Sequence, residues 1–273
     1  MTLTVHIQGP AFWAPGLPDW STLCAAREAG ELPPLTGPRA PRPELLAAGD
    51  RRRAPETVGL ALEAGRMAVA SSGLCAQDLL SVFTSAHGDL AIIDSMCRTL
   101  AEAPTLVSPT RFLHSIHNAP AGLWSMAAPS TRANTSITAG AASFSAGLLE
   151  AIMQCIAERS GVLFVAYEPA TTGPLAATIR SDVPMAFALV VTPAPTPGTV
   201  VSVDATTRAA GPSAGPATGL AAWFAAWFAD SAMANGMALI DQLAIGGPVD
   251  CCLDLGGGQA LVLTGEQAIA HED

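Results

Sequence analysis

Residues 134–151 read NTSITAGAASFSAGLLEA, a strand pattern that runs through a knot of Ala, Gly and Ser into a helix pattern. A residue at such a junction sits over unpaired backbone N–H groups and the positive end of the helix dipole. A cysteine there has a lowered pKa and is a good nucleophile. At the tightest point this sequence has Gly140, which carries no side chain. Two readings stay open: a plain tight turn packed closely through Ala139, Ala141 and Ala142, or a nucleophile mount without its nucleophile.

Other residues offer chemistry of their own. His114 and His117 lie three apart in HSIHN, which on a helix would place both on one face. A metal would need a third ligand, and that segment has no acid. Asp89, in SAHGD, could approach from elsewhere, but hydrogen-bonded structural histidines fit as well and no metal site is expected. His87 sits at the C-terminal end of a strand, a place favoured for ligands in open α/β sheets. Ser213 centres the only G-x-S-x-G, GPSAG, and Asp230 or Asp241 followed by His271 would complete a hydrolase order. The preceding strand stops several residues too early for a nucleophile elbow, so a flexible loop is the simpler reading. Ser143 and Ser145 fall inside the helix, where serines tend to bond backbone. A self-sufficient alternative remains, with His87, His114 or His117 and Ser143 or Thr138 hydrolysing or decarboxylating a thioester. GGGQ (256–259) precedes a strand and reads as a hairpin turn.

Composition removes several classes. All thirteen basic residues are arginine, so neither Schiff-base chemistry nor a P-loop lysine is available. A net charge of −10, with Arg51-Arg52-Arg53 the only basic run, argues against nucleic acid as a partner. Six cysteines without C-x-x-C spacing argue against a zinc ribbon and suit reduced thiols. The opening MTLTVHIQG reads as a strand rather than a leader, and the most apolar segment (219–243) is interrupted by Asp230, Asn235 and Asp241. The expected location is therefore the cytoplasm, with no membrane span. Only 13% of residues are charged against half hydrophobic, which fits either an alanine-rich core or a surface covered by a partner.

The elements that must position these residues can be followed along the chain. Strand patterns occupy 3–8, 79–85, 135–138, 161–167, 185–192 and 199–205, and CCLDL-GGG-ALVLT closes as a hairpin. Helix patterns occupy 20–29, 56–70, the Leu90, Ile93, Cys97, Leu100 stripe, and the element carrying Leu148, Leu149, Ile152 and Ile156. Gly65 falls on the apolar stripe of its helix and would allow close packing there. Residues 109–133 read as a loop and 206–219 as another, followed by a helix bearing Trp223, Phe224, Trp227 and Phe228. Core packing and a partner surface both suit those aromatics. Strands alternating with helices predict an α/β layered domain around a mixed, largely parallel sheet, without an internal repeat.

The segment PTRFLHSIHNAPAGLWSMAAPSTRANTSITAGAASFSAGLLEA (109–151) resembles the approach to the active site of β-ketoacyl synthases. NAPAGLWS is similar to that family's loop, and Thr138-Ala139-Gly140-Ala141-Ala142-Ser143 to its T-A-C-x-S/T-S/G turn. Gly140 stands where the family has its cysteine. GPAFWAPGLPDWSTL, DRRRAPETVGLALEAGRMAV and VFTSAHGDL look like the ketosynthase-like chain-length factors of aryl polyene clusters, and the likeness covers about 3–192 plus LDLGGGQALVL. The resemblance implies a thiolase-like half over 1–192 with a short C-terminal completion over 193–273. A second copy of the fold, with the two histidines that ketosynthases draw from it, has no room after 193. His87 lies in the wrong half and order to replace one of them.

The implied role is a non-catalytic subunit paired with a full-length β-ketoacyl synthase, an acyltransferase, as a heterodimer. It would meet acyl-carrier protein indirectly and need no cofactor. In ketosynthases the strand before the cysteine pairs across the dimer two-fold and the adjoining loop lines the partner's acyl tunnel. Phe112, His114, His117, Trp124 and Met126, with Asn134, Ser136 and Thr138 of the strand, are the implied interface or tunnel residues. A homodimeric acyl-binding module is the other non-enzymatic alternative.

Overall fold

The computed structural model describes residues 2–179, 181–211, 219–228 and 231–267. Eight strands form one mixed sheet in the order β3-β2-β4-β5-β1-β6-β8-β7. They are β1 (Leu3–Trp13), β2 (Leu80–Thr84), β3 (Asn134–Ile137), β4 (Val162–Glu168), β5 (Met185–Thr192), β6 (Thr199–Ala209), β7 (Val249–Gly256) and β8 (Gln259–Gln267). The helices are α1 (Trp20–Ala29), α2 (Ala48–Arg51), α3 (Glu56–Ser72), α4 (Leu90–Glu102), α5 (Pro109–Ser115), α6 (Ala119–Ala127), α7 (Ser143–Glu158), α8 (Gly219–Phe228) and α9 (Ala232–Ile245).

The sheet is mixed, as expected, but less parallel than the alternation of elements predicts. Only β2 runs parallel to its neighbours β3 and β4. The other pairings, from β4 through to β7, are antiparallel. The expectation failed because β4 and β5 are joined without the crossover helix that a parallel pair requires, and because β1 inserts between β5 and β6 antiparallel to both. The C-terminal hairpin β7–β8 turns at the glycine run as expected and extends the sheet through β6.

Helices cover both faces. On β4, Val162, Phe164 and Ala166 point into one core, which also holds Phe144, Leu148 and Ile152 of α7 and Met233 and Met237 of α9. Leu163, Val165 and Tyr167 alternate into the other, against Val58, Leu62 and Ala68 of α3 and Trp124 of α6. Every residue of β4 and β5 is buried, which is why both read as unbroken apolar runs.

Three further local expectations need correction. Residues 109–127, read as loop, carry α5 and α6, each opened by a proline in its first turn. Residues 206–209 extend β6 rather than opening a loop. The aromatic C-terminal helix is two helices. Leu220 and Phe224 of α8 are buried, with the Phe224 ring 6.2 Å from Phe12, so this part faces the core. The side chains of Trp227 and Phe228, and Ser213, Asp230 and His271, lie outside the described residues. One stretch, residues 140–158, is long and apolar enough to cross a membrane, but it is the core helix α7.

Candidate functional site

The strand–turn–helix predicted around Gly140 is present. β3 ends at Ile137, residues 140–142 form one tight 3₁₀ turn, and α7 follows. Gly140 has φ +57°, and a Cβ placed on it would touch nothing within 4 Å. The position is therefore open, exposed and backbone-strained for any L-residue, at a cost of about 1–2 kcal/mol. Ser143 secures the turn: its hydroxyl donates to the Gly140 carbonyl at 2.7 Å and accepts from the Ala139 N–H at 2.9 Å. Ser143 is fully buried, and both hydrogen bonds of its hydroxyl go to backbone. Ser145 is buried beside the carbonyls of Ala142 and Asp254, and accepts from Asn235 Nδ2 at 2.8 Å.

The histidines do not form a pair. α5 ends at Ser115 and Ile116 is extended, so His114 and His117 share no helix face. His114 lines a cleft with Leu46, Arg53 and Leu123, whereas His117 Nε2 donates to the Ser85 carbonyl at 2.9 Å. Asp89 caps α4 through the Ile92 N–H and accepts from Thr57, so it is not free for a metal. Burial pushes the pKa of His87 below its ordinary value. Among the described residues no hydrogen bond joins a histidine to Ser143 or Thr138, and no cluster of three His, Cys, Asp or Glu residues exists.

The remaining predicted residues divide by location. Asn134 ties β3 to α6, its Nδ2 donating to the Ala121 carbonyl at 2.7 Å and to Ser125 Oγ at 2.9 Å. It shares a cleft with Asn118, Gly122 and Ser136, and the Ser136 hydroxyl is buried without a hydrogen-bond partner among the described residues. Thr138 donates to the Ala86 carbonyl at 3.1 Å. Phe112 and Met126 stand 55% and 71% exposed. Trp124 is a correction: at 2% exposure it is a core residue, 6.2 Å from the Phe83 ring. Its indole lies where a Cβ on Gly65 would come within 3.1 Å, which is the close packing that Gly65 permits. Trp124→Ala is accordingly expected to destabilise the fold by about 3–5 kcal/mol, read as a lowered urea midpoint.

Sequence reasoning missed two features. One is the extent of the apolar surface: Leu100, Leu106, Leu113 and Ile116 are exposed alongside Phe112 and Met126. Met126 belongs to α6, which packs beside β3, and among the described residues β3 bonds to β2 alone and has no partner on its outer edge. Reading 109–133 as loop hid the outward side chains of α5 and α6. The other is Glu168, which ends β4 at 3% exposure. It accepts from the Ala86 N–H and the Ser85 hydroxyl, and burial raises its pKa from 4.5 to about 8. A charge closing the buried run VLFVAYE was the available signal.

Comparison with known proteins places this geometry. The ketosynthase ApeO in complex with its chain length factor ApeC, from Xenorhabdus doucetiae, matches with a TM-score of 0.71 at 22% identity, over 96% of this chain and 99% of that one. The ishigamide ketosynthase/chain length factor matches with a TM-score of 0.73 at 17% identity, over 97% and 99%. The AntDE:AntF complex, a type II polyketide synthase acyl-carrier protein with its ketosynthase bound to the hexaketide, matches with a TM-score of 0.70 at 12% identity, over 98% and 100%. These likenesses share the fold, end to end. No curated protein matches the chain. Residues 25–232 match the family described as Beta-ketoacyl synthase, N-terminal domain, and the chain belongs to that family.

Proposed function

We propose that this chain is a non-catalytic, chain-length-factor-type subunit that pairs with a full-length β-ketoacyl synthase. The partner is a ketosynthase, not another class of acyltransferase. It supplies the cysteine and histidines for decarboxylative condensation on acyl-carrier protein, while this chain completes the partner's sheet edge and shapes the acyl tunnel. The observation that carries this reading is Gly140: the open position at the head of α7 has room for a side chain and has none. It stands one turn past β3, an edge strand with no outer partner among the described residues, and α5 and α6 nearby expose Phe112, Leu113 and Met126. The chain-length-factor complexes among the similar structures support the same role. Against the stand-alone hydrolase alternative, the hydroxyls of Ser143 and Thr138 are both engaged by backbone.

Co-expression with a full-length ketosynthase from the same source tests it. The expected outcome is a stable complex that elongates malonyl units, with each subunit inactive alone. A stable monomer with no affinity for that ketosynthase, or turnover by the isolated chain, would overturn the proposal.

A further inference from the structure

Glu168 lies outside every role described so far. Its carboxyl is enclosed at the C-terminal end of β4, against the loop 85–89 that leaves β2. Ser85 and Ala86 donate to it, and the Ser85 oxygen in turn accepts from the Gly88 N–H at 2.9 Å. The carbonyls of the same two residues face outward and hold the site. Ser85 O receives His117, which fixes the α5–α6 junction, and Ala86 O receives Thr138, which fixes the end of β3 beside Gly140. One buried carboxyl thus locks a short loop from below, while two separate pieces of the surface hang from the loop's other side.

We propose that Glu168, acting through the 85–89 loop, is the positioning residue for the partner-facing surface, setting where the β3–Gly140 turn and the α5–α6 junction sit relative to each other. This deepens the proposed function and rests on it. Buried at the sheet's end, Glu168 touches no substrate, so its role is mechanical. The titratable groups on the surrounding elements are Tyr167 on β4, His87 and Asp89 on the loop, His117 at the α5–α6 junction, and Glu56 of α3 with its ion partner Arg39. Among the described residues Glu168 has two hydrogen-bond donors and no cation beside it. Burial keeps the proton on the folded carboxyl up to about pH 8, against 4.5 when unperturbed. The stability this group contributes is therefore full below pH 4.5, declines as pH rises, and is lost by about pH 8. A carboxylate formed there is relieved by opening the loop to water.

The experiment uses the full chain, alone and co-expressed with the ketosynthase, as wild type, Glu168→Gln and Glu168→Ala, between pH 6 and 9. Glutamine keeps one acceptor for Ala86 and cannot ionise. Expected results are wild-type-like pairing for E168Q that stays level across pH 8, and wild-type pairing that weakens above it. E168A should remain cooperatively folded but bind the ketosynthase at least about tenfold more weakly, the loss expected for an unmade buried hydrogen bond. Pairing by E168A at wild-type strength, or the same pH profile in E168Q and wild type, overturns the proposal. If E168A does not fold, the E168Q profile alone decides. If even wild type fails to pair, the functional reading has failed, and the Ala86 amide then reports on the loop in the isolated chain. Its hydrogen-exchange protection, corrected for intrinsic rate, should match wild type in E168Q and fall at least about tenfold in E168A. Equal protection in E168A and wild type overturns the positioning role independently of any partner.

Discussion

The double variant Phe112→Asp, Met126→Asp is expected to fold as wild type and to lose its ketosynthase. Both side chains are more than half exposed in the free chain. Replacing them with a carboxylate should therefore change the unfolding midpoint little, within about 0.5 kcal/mol each. In the proposed complex the same positions would be covered, and a carboxylate there would be desolvated without a counter-ion. Stranding one such charge costs about 3 kcal/mol or more, which is at least about 10²-fold in affinity. Size exclusion of the co-expressed pair reads the outcome, with circular dichroism and a urea titration of the isolated variant as the control for folding. An intact complex with wild-type affinity would remove α5 and α6 from the interface and leave the edge of β3 to carry it alone.

That prediction could not have been framed from sequence. The core elements were legible because burial on two faces writes itself as unbroken apolar runs: GVLFVAY and MAFALVVT gave β4 and β5 almost to the residue. The turn around Gly140 was legible too, since small residues between a strand and a helix have few other uses. What failed was everything decided by partners distant in the chain. Trp124 is apolar and lies between tunnel candidates, and only the groove left by Gly65 shows that it points inward. His114 and His117 have helical spacing, but α5 stops between them because Ile116 turns extended and leads into α6, which has Pro120 in its first turn. The balance of antiparallel pairs was hidden because strand direction depends on the connections and not on strand composition. Glu168 shows the limit most sharply: its neighbours Ser85 and Ala86 are eighty-odd positions away, so its letters say only that a charge sits at the end of a buried strand.

Gly140→Cys should restore a reactive sulfur without restoring a reaction. The added Cβ meets no atom within 4 Å, so the cost is the left-handed backbone alone, about 1–2 kcal/mol. Gly140 opens the turn into α7, where exposed N–H groups and the helix dipole favour a thiolate, so the new thiol should titrate below the ordinary cysteine value. The sequence provides its own assay. Cleavage at Arg132 and Arg159 releases residues 133–159, whose one native cysteine is Cys155. Cys155 is buried in α7, with its pKa pushed up to about 12, and should not react. Iodoacetamide at neutral pH should therefore add one carbamidomethyl group to that peptide in the variant and none in wild type, while Cys75, Cys97 and Cys252 report on other peptides. A ketosynthase needs histidines to decarboxylate the extender and hold the developing oxyanion. Here His117 is engaged by the Ser85 carbonyl and the rest of the described histidines make no hydrogen bond to the turn. The variant alone should thus alkylate readily and yield no condensation product from malonyl-loaded carrier protein. Product formed by the isolated variant would show that a complete reaction centre survives in this one chain, and the borrowed-chemistry reading would have to be abandoned.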